Sequence, residues 1–244
     1  MGLRLIVDFH VHLGPSLALG VEVTLREVRE AMEEAGVDLA VVFPFPSTAV
    51  SRPSIVDWVA EVALADGSLV PFYYVPDDLR PPSGGRFRGA KWHWVRGVSD
   101  YKSNYEVLRD PRLDDFASAV SKLRIPVVFE EELRFTEDFV DRYPDVILVI
   151  PHVGMLGGRP LDFIERFKGC ENVHFDTSLA PPSVVAEAIA AAGAGRVVFG
   201  SDVPFGHMLS ELRKLEGLRL SSLEREAVLG GNAARLLRLS PQFR

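Results

Sequence analysis

Two histidines near the start of the chain have the type and spacing of a metal-binding pair. His10 and His12 stand in Val7-Asp8-Phe9-His10-Val11-His12, at the end of an apolar run that predicts a strand over residues 3–9. Because side chains alternate between the two faces of a strand, both imidazoles are expected to point to the same side. Neutral imidazoles in this arrangement ligate Zn²⁺ and similar ions. The competing interpretation is one buried, hydrogen-bonded histidine and one that faces solvent.

Residues able to bind a metal or move a proton also follow five later apolar runs. They are Lys91 with His93, Glu130, His152, Asp176 and Asp202. Four of the six histidines of the chain, at positions 10, 12, 93 and 152, thus stand at predicted strand ends. Independent scattering would seldom produce that alignment, so the pattern predicts a metal site.

The elements that must bring these residues together alternate between strand and helix. Strands are predicted over residues 3–9, 37–43, 69–75, 88–94, 125–129, 146–150, 172–175 and 196–199. Helices are predicted from the Thr24–Glu27 capping box to Gly36 and over residues 55–65, 111–123, 136–143, 161–167, 183–192, 208–215 and 223–237. Thr136 is predicted to cap the fourth of these helices, and Asn232 to cap a helix start near the end of the chain.

Eight apolar strands that alternate with helices predict an α/β fold, a (β/α)₈ TIM barrel. Strands that are apolar throughout need cover on both faces, and regular alternation favours parallel pairing. No linker divides the sequence, so we expect a single domain over residues 1–244. In such a barrel the carboxyl ends of the strands meet at one mouth, where active sites lie. The long segment 95–110 is a candidate lid.

Composition excludes several classes of function. The net charge of −7 and the absence of a dense Lys/Arg run argue against a nucleic-acid or membrane partner. A lone cysteine, Cys170, rules out an internal disulfide and a four-cysteine metal site. No leader-like segment and no run of about 18 apolar residues occurs. We therefore expect a cytoplasmic protein with a small-molecule substrate, and homo-oligomerisation stays open.

An ordered set of short motifs gives the chain a family resemblance. The motifs are Asp8-Phe9-His10-Val11-His12, Gly89-Ala90-Lys91-Trp92-His93, Pro126-Val127-Val128-Phe129-Glu130, Ile150-Pro151-His152-Val153-Gly154, Gly200-Ser201-Asp202-Val203-Pro204-Phe205-Gly206 and Gly231-Asn232-Ala233-Ala234-Arg235-Leu236-Leu237. Together they resemble the amidohydrolase superfamily, and more narrowly its compact amidohydrolase-2 branch, which contains metal-dependent hydrolases and decarboxylases. The match runs over the whole chain.

The resemblance implies a role for each matching position. It makes His10, His12 and Asp202 metal ligands, with Asp202 also exchanging protons with the bound water. It makes His152 either a ligand of a second metal or a catalytic residue that polarises the substrate. The implied cofactor is a divalent metal, Zn²⁺ first, with Mn²⁺ and Fe²⁺ as alternatives.

Glu130 departs from the family pattern, which usually has histidine at the end of strand five. A carboxylate also ligates Zn²⁺, Mn²⁺ or Fe²⁺, so Glu130 is a predicted ligand. The alternative is that Glu130-Glu131-Glu132 is a solvated helix start and the ligand is missing.

The residues of strand four and its following loop are predicted to meet the substrate. In binuclear superfamily members a strand-four lysine is carboxylated and bridges two metals, so Lys91 has that role or a pairing role with substrate or a carboxylate. His93, Trp92, Trp94 and Tyr101 are expected near the mouth. Asp176, with Thr177 and Ser178, is expected either to hydrogen-bond a ligand histidine or to form a turn.

The function implied is hydrolysis of an amide, ester or lactone by a metal-activated water. One alternative is a metal-dependent non-oxidative decarboxylase of an aromatic or enoic acid. A second alternative, motivated by Glu130, is an inactive barrel that only binds a ligand.

Overall fold

A barrel of eight parallel strands forms the centre of the structure, a computed structural model that describes residues 5–99 and 101–239. Within those residues the strands are β1 (Val7–His12), β2 (Gly14–Ser16), β3 (Val21–Val23), β4 (Leu39–Phe43), β5 (Leu69–Tyr74), β6 (Gly89–His93), β7 (Val127–Glu130), β8 (Leu148–Ile150), β9 (Val173–Asp176) and β10 (Val197–Val198). The barrel order is β1-β4-β5-β6-β7-β8-β9-β10, and β2 pairs with β3 in a separate antiparallel hairpin. This confirms the TIM-barrel prediction.

Helices lie between the strands, as the alternation predicts. They are α1 (Leu25–Ala35), α2 (Pro46–Ser51), α3 (Ser54–Asp66), α4 (Arg112–Leu123), α5 (Leu133–Arg142), α6 (Pro160–Phe167), α7 (Pro182–Ala192), α8 (Met208–Glu216), α9 (Ser222–Glu226) and α10 (Asn232–Leu236). The predicted capping box of α1 is present, because Thr24 and Glu27 each accept a hydrogen bond from the backbone of the other. No helix among the described residues is long and apolar enough to cross a bilayer.

The barrel interior and the layer beneath the helices are separate apolar cores. The interior is filled from β1, β4, β5, β7, β8 and β10 by Val7, Phe9, Leu39, Val41, Phe43, Val70, Phe72, Val128, Val149 and Val198. The larger outer core lies between the strands and the helices. Side chains at the upper end of the barrel are polar, and this is where the predicted site residues lie.

A register shift in β1 turns His10 toward the barrel interior. Asp8 pairs with Ala40 and Val11 with Val42, so two residues of β1 stand opposite Val41 alone. At such a bulge the normal alternation of side chains is interrupted. Phe9 therefore packs inside the barrel and His10 lies above it, whereas Asp8 turns away and accepts a hydrogen bond from Ser201 N at 3.0 Å.

Hydrogen bonds between β1 and the segment after β10 close the barrel. Phe9 N donates to Phe199 O at 2.8 Å, and His12 N donates to Val203 O at 2.9 Å. Asp202 N donates to His10 O at 2.8 Å. The same bonds that close the barrel thus place Asp202 beside the two histidines.

Two predicted helix caps are wrong. Helix α5 begins at Leu133 directly after the strand, so Thr136 lies inside it and donates its hydroxyl to Glu132 O at 3.0 Å. Asn232 lies within a continuous helical run that includes a π-helical turn, Ala227–Gly231. Its amide donates to Ala194 O and Val197 O, both at 2.7 Å, and so ties the last helix to β10. The predicted start of the first strand, residue 3, lies outside the described residues.

Candidate metal centre

Three of the predicted ligands converge at the carboxyl end of the barrel. Among the described residues, His10, His12 and Asp202 form one group whose ligand atoms all lie within 4.8 Å of one another, and all three are buried. Asp202 Oδ1 is 3.3 Å from His10 Nε2 and 3.2 Å from His12 Nε2. It has no hydrogen-bond partner among the described residues. Nitrogen and oxygen lone pairs that face one another in this way are satisfied by a cation, so this group could hold a metal ion.

Asp176 fixes the orientation of His10. His10 Nδ1 donates to Asp176 Oδ2 at 2.6 Å, which leaves Nε2 unprotonated and facing Asp202. Burial, and after it the charge of Lys91, lowers the pKa of His10 to about 4, so the ring is neutral at pH 7. Burial alone would raise the pKa of Asp176, but His10, followed by His152 and the Ser178 side chain, lowers it to about 2. Asp176 was predicted either to hydrogen-bond a ligand histidine or to form a turn, and the structure shows a hydrogen bond to His10.

Aromatic rings hold His12. Its imidazole stacks on Phe45, with ring centroids 4.6 Å apart and an angle of 15° between the planes. Phe43 and Phe205 meet it edge-on at 5.0 Å and 5.6 Å. Such contacts fix a ring as packing does in a core. The ring of His12 is therefore positioned from three sides.

Asp202 lies in a strained turn. Its φ of 58° is in the left-handed region, which residues other than glycine, asparagine and aspartate seldom adopt. The turn is held by bonds to Asp202 O from Phe205 N at 2.7 Å and Gly206 N at 3.0 Å. Although burial alone would raise the pKa of Asp202, the neighbouring His10 and His12 keep it below the ordinary value. The carboxylate is thus ionised and aimed at the two imidazoles.

His152 lies beside His10 and Asp202, with its ring centroid 5.1 Å from that of His10. It follows β8 in a short 3₁₀ segment, Pro151–Gly154, with a φ of 54°. Its Nδ1 lies 3.1 Å from Ser178 O and 2.9 Å from Ser178 Oγ. A carbonyl oxygen only accepts, so Nδ1 carries the hydrogen and Nε2 faces the centre. Nε2 is 3.8 Å from Asp202 Oδ2 and 3.7 Å from Glu130 Oε1.

Glu130 and Lys91 form a buried ion pair beside the three converging residues. Lys91 Nζ donates to Glu130 Oε2 at 2.7 Å and lies 3.5 Å from His10 Nε2. His93 is the register partner of Glu130, and its Nε2 is 3.8 Å from Glu130 Oε2. Burial would raise the pKa of Glu130, but the charge of Lys91, followed by His93 and His152, holds it well below its usual range. Glu130 does not join the group of three, and its role as a ligand stays a prediction.

The other two glutamates of the run tie down the loop after β6. Glu131 Oε1 accepts bonds from Trp92 Nε1 at 2.8 Å and Val95 N at 3.0 Å. Glu132 Oε2 accepts from Ser103 N at 2.9 Å, and Ser103 Oγ accepts from Glu132 N at 3.0 Å. Burial raises the pKa of Glu131 to about 7. The alternative interpretation, a solvated helix start, is therefore wrong for Glu131, which is buried and anchors the candidate lid.

A cavity of about 700 Å³ opens above the centre. Its floor includes His10, His12, Glu130, His152 and Asp202. Its walls carry mainly aromatic and hydroxyl side chains, namely Phe45, Tyr74, Trp94, Tyr101, Phe205, Ser16, Ser47 and Ser51, together with His93. The volume is within the range of about 300–1,000 Å³ typical of small-molecule sites.

Lys91 and Trp92 do not line the cavity. Lys91 is not among the cavity-lining residues, because its ammonium group is bonded to Glu130. The prediction that Trp92 lies near the mouth is wrong, because Trp92 is fully buried and packs against Phe116, Phe129 and Phe139. Trp94 and Tyr101 do line the cavity, as expected.

Sequence reasoning assigned no site role to Phe45, to Phe205 or to the β2–β3 hairpin. The hairpin overhangs the cavity through Ala18 and Leu19, and it is tied to α2 by the bond from Leu17 N to Thr48 Oγ1 at 3.1 Å. Phe205 stood in a quoted motif, and its exposed fraction of 53% is high for a large apolar residue. The sequence of the hairpin contains only a Gly/Pro turn signal, and such a signal does not predict that the segment lies over the cavity.

The chain is similar to known proteins in sequence and in fold. A family model described as amidohydrolase matches residues 2–239. A comparison with curated protein sequences gives no match.

Solved structures share the fold at low sequence identity. A 2,6-dihydroxybenzoate decarboxylase from Rhizobium has a TM-score of 0.77 and 16% identity over 97% of this chain and 99% of that one. An amidohydrolase from Burkholderia multivorans with bound zinc has a TM-score of 0.74 and 19% identity, over 97% and 100%. A dihydroxybenzoic acid decarboxylase from Polaromonas, with bound manganese and the inhibitor 2-nitroresorcinol, has a TM-score of 0.73 and 16% identity, over 99% of each chain.

Proposed function

Since this chain belongs to the amidohydrolase family, we propose that it is a metal-dependent enzyme that removes CO₂ from an aromatic carboxylic acid without oxidation. The observation that carries the proposal is the position of the His10, His12 and Asp202 group at the floor of a cavity with aromatic walls. A flat ring fits between such walls while its carboxylate reaches the floor. Two of the three structural neighbours described above are decarboxylases of dihydroxybenzoates, and this favours decarboxylation over the predicted hydrolysis.

The residues we assign to the metal are His10, His12 and Asp202. They fit a divalent ion because their lone pairs converge and Asp202 Oδ1 has no other partner among the described residues. When bound, the ion supplies positive charge that fixes and polarises the substrate carboxylate. Neighbouring structures hold zinc in one case and manganese in another, so both metals belong in any test.

The aromatic walls orient the ring of the substrate. Phe45 and Phe205 already pack against His12, so a ring that enters beside them lies next to the ligand group. Trp94 and His93 line another part of the cavity, and we assign them to the substrate as well. Apolar walls also exclude water from the reacting carbon.

We assign the proton transfer to His152 and Asp202. His152 Nε2 and Asp202 Oδ2 face each other at 3.8 Å on the cavity floor. His152 Nε2 takes up a proton from solvent, with Asp202 Oδ2 stabilising the charge, and this proton adds to the ring carbon that bears the carboxylate. The bond between that carbon and the carboxylate then breaks, its electron pair returns to the ring, and CO₂ leaves. One aromatic carboxylate and one proton thus give one arene and one CO₂.

Release of CO₂ from a panel of hydroxybenzoates tests the proposal. The purified protein is loaded with Mn²⁺ or Zn²⁺, and CO₂ and arene are measured in parallel with a panel of esters, lactones and amides. We expect equal amounts of CO₂ and arene from at least one hydroxybenzoate. Hydrolysis of an ester, lactone or amide with no CO₂ from any acid would establish the hydrolase instead.

Variants of the proton-handling residues complete this test. His152→Gln and Asp202→Asn should each lower kcat by about 10²-fold or more, the usual contribution of general acid–base catalysis. His207→Gln is the matched control, because His207 is exposed at the rim and is not among the cavity-lining residues. Unchanged activity in His152→Gln would contradict the assignment of the proton to this pair.

A further inference from the structure

Serine hydroxyls line the part of the cavity where the β2–β3 hairpin meets α2. Ser16 Oγ accepts a hydrogen bond from Leu19 N at 3.3 Å, and Ser47 Oγ accepts one from Ala18 N at 3.2 Å. A hydroxyl group that accepts one bond still carries a hydrogen of its own to donate. Ser16, Ser47 and Ser51, which all line the cavity, are called the hydroxyl wall below. This wall can donate hydrogen bonds to an oxygen atom of a bound molecule.

Among the described residues, no lysine or arginine lines the cavity. Lys91 lies at the bottom of the barrel mouth, but its Nζ donates to Glu130 Oε2 at 2.7 Å. Arg96 Nη2 donates to Asp110 Oδ2 at 2.8 Å. Arg52, which follows α2, is exposed and is not a lining residue. The proposed metal on the floor therefore gives a substrate a positive partner for one carboxylate only.

We propose that the substrate is an aromatic acid with a single carboxylate, and that its far end is uncharged and carries an oxygen acceptor bound by the hydroxyl wall. This inference rests on the proposed function and names the class of acid that the same cavity takes. A second carboxylate at the far end would lose hydration without gaining a counter-charge, and such a loss is costly. A neutral oxygen loses less hydration and gains a bond from a serine hydroxyl.

The size of the cavity agrees with an acid larger than one ring. Cavities of about 300–1,000 Å³ hold drug-sized ligands, and this one has a volume of about 700 Å³. Leu19, Val50 and Leu156 line it with exposed apolar side chains. A substrate that extends from the floor across these residues would remove their apolar surface from water. A single hydroxylated ring would leave most of that surface uncovered.

A matched pair of substrates tests the inference on the wild type. Hydroxybenzoates that carry a carboxamidomethyl or a carboxymethyl group at the ring positions farthest from the reacting carboxylate have similar shapes and differ in charge. Release of CO₂ by the Mn²⁺- or Zn²⁺-loaded protein is measured for both and for the unsubstituted parent. At one position or more, we expect kcat/KM for the amide to exceed that for the carboxylate by about 10-fold or more, and to exceed that for the parent. The inference is overturned if the carboxylate is used as well as the best amide, or if no amide exceeds the parent.

Variants of the hydroxyl wall locate the source of this preference. Ser47→Ala should lower the ratio of kcat/KM for the amide to that for the parent by about 3- to 10-fold, the effect of one lost hydrogen bond. A general loss of structure would lower both values and leave their ratio unchanged. Ser51→Lys adds a cation to the wall and should reverse the order of amide and carboxylate. Ser222→Lys is the matched control, because it adds the same charge at an exposed position that does not line the cavity.

The outcomes separate this inference from the proposed function. If Ser51→Lys and Ser222→Lys both keep the wild-type order, the hydroxyl wall does not select the charge of the substrate and the inference is overturned. Release of CO₂ at equal rates from the amide and the carboxylate also overturns it, but leaves the proposed function intact. If no acid of the series releases CO₂, the proposed function itself fails. The comparison of substrates on the wild type needs no variant, so a variant that does not fold cannot leave the inference undecided.

Discussion

The hydrogen bond between His10 and Asp176 determines which nitrogen of His10 faces the centre. At 2.6 Å it is short for a bond between a ring nitrogen and a carboxylate, and both partners are almost fully buried. An ionised carboxylate behind a ligand imidazole also makes the other nitrogen more basic. If the proposed centre binds a metal, we expect its affinity to depend on Asp176, which is not one of the proposed ligands.

Replacement of Asp176 by asparagine tests this dependence. The amide oxygen of Asp176→Asn still accepts from His10 Nδ1, but the negative charge is lost. We expect Mn²⁺ or Zn²⁺ to bind about 10–100-fold more weakly, as is typical when the partner of a ligand histidine is changed. Competition with a chelator of known affinity measures the change. Asp141→Asn, which removes an exposed carboxylate paired with Arg166, is the matched control. Equal affinities in the two variants would contradict the role of Asp176.

At the scale of elements, the turn after β10 holds the proposed ligand Asp202 and the cavity residue Phe205 in one short segment. Gly206 closes this turn, and a Cβ atom there would collide with Ser201 O and approach Leu179 Cδ2 to 3.0 Å. Because the closest atom is backbone, the turn itself would have to move. A change at Gly206 thus acts on Asp202 without touching its side chain.

Gly206→Ala is therefore expected to weaken metal binding and to destabilise the fold. We expect a loss of about 1–3 kcal/mol in the free energy of unfolding, as is usual for added groups that do not fit. Urea titration measures the stability, and chelator competition measures metal affinity. Gly169→Ala is the matched control, because nothing lies within 4 Å of a Cβ built there. If Gly206→Ala and Gly169→Ala have the same stability and metal affinity, the turn is not as rigid as its contacts indicate.

The sequence predicted helix α1 well, because both of its ends carry a local signal. Thr24, Glu27 and Gly36 mark both ends of α1, and the structure has the capping box and a left-handed Gly36. Thr136 carried a similar signal but was misleading, since Glu132 and Leu133 follow β7 so closely that the helix starts earlier. Local residue patterns do not predict the length of the connection between a strand and the helix that follows it.

Some features of the candidate site were likewise predictable from the local sequence, and others depend on contacts between distant segments. Residues at strand ends were predictable because every strand of a parallel barrel delivers its end to one rim. The bulge in β1 was not, although it separates the direction of Asp8 from that of His10. The use of Glu131 to anchor Val95 was not predictable either, because it depends on the distance between two neighbouring loops.

At the scale of the whole molecule, β9 carries two different buried polar residues on its inner face. Asp176 serves the centre at the rim, whereas His174 lies lower in the barrel beside its register partner Val149. His174 is 5% exposed, and its Nδ1 has no hydrogen-bond partner among the described residues. Burial, and after it the charges of Arg235 and Arg196, lowers its pKa to about 4. The folded barrel therefore keeps His174 neutral where the unfolded chain would protonate it.

This difference predicts a loss of stability in acid. Between pH 6.5 and pH 4 the unfolded state binds a proton at position 174 that the folded state does not, so stability falls as the pH falls. A difference of about 2.5 pKa units corresponds to about 3 kcal/mol between pH 7 and pH 4. His174→Leu lacks this titration, so its free energy of unfolding should depend less on pH by that amount. Urea unfolding at several pH values, with chelator present so that metal binding does not contribute, measures both proteins.

His207→Leu is the control for removal of an exposed histidine, because His207 lies at the exposed start of α8. The pH profile of this variant should stay parallel to that of the wild type. His10 is also buried and neutral, but it is present in all three proteins and its contribution cancels in the comparison. Parallel profiles for wild type and His174→Leu would mean that the barrel interior accepts a protonated His174, either through water or through a movement of the last helix that takes Arg235 away from His174.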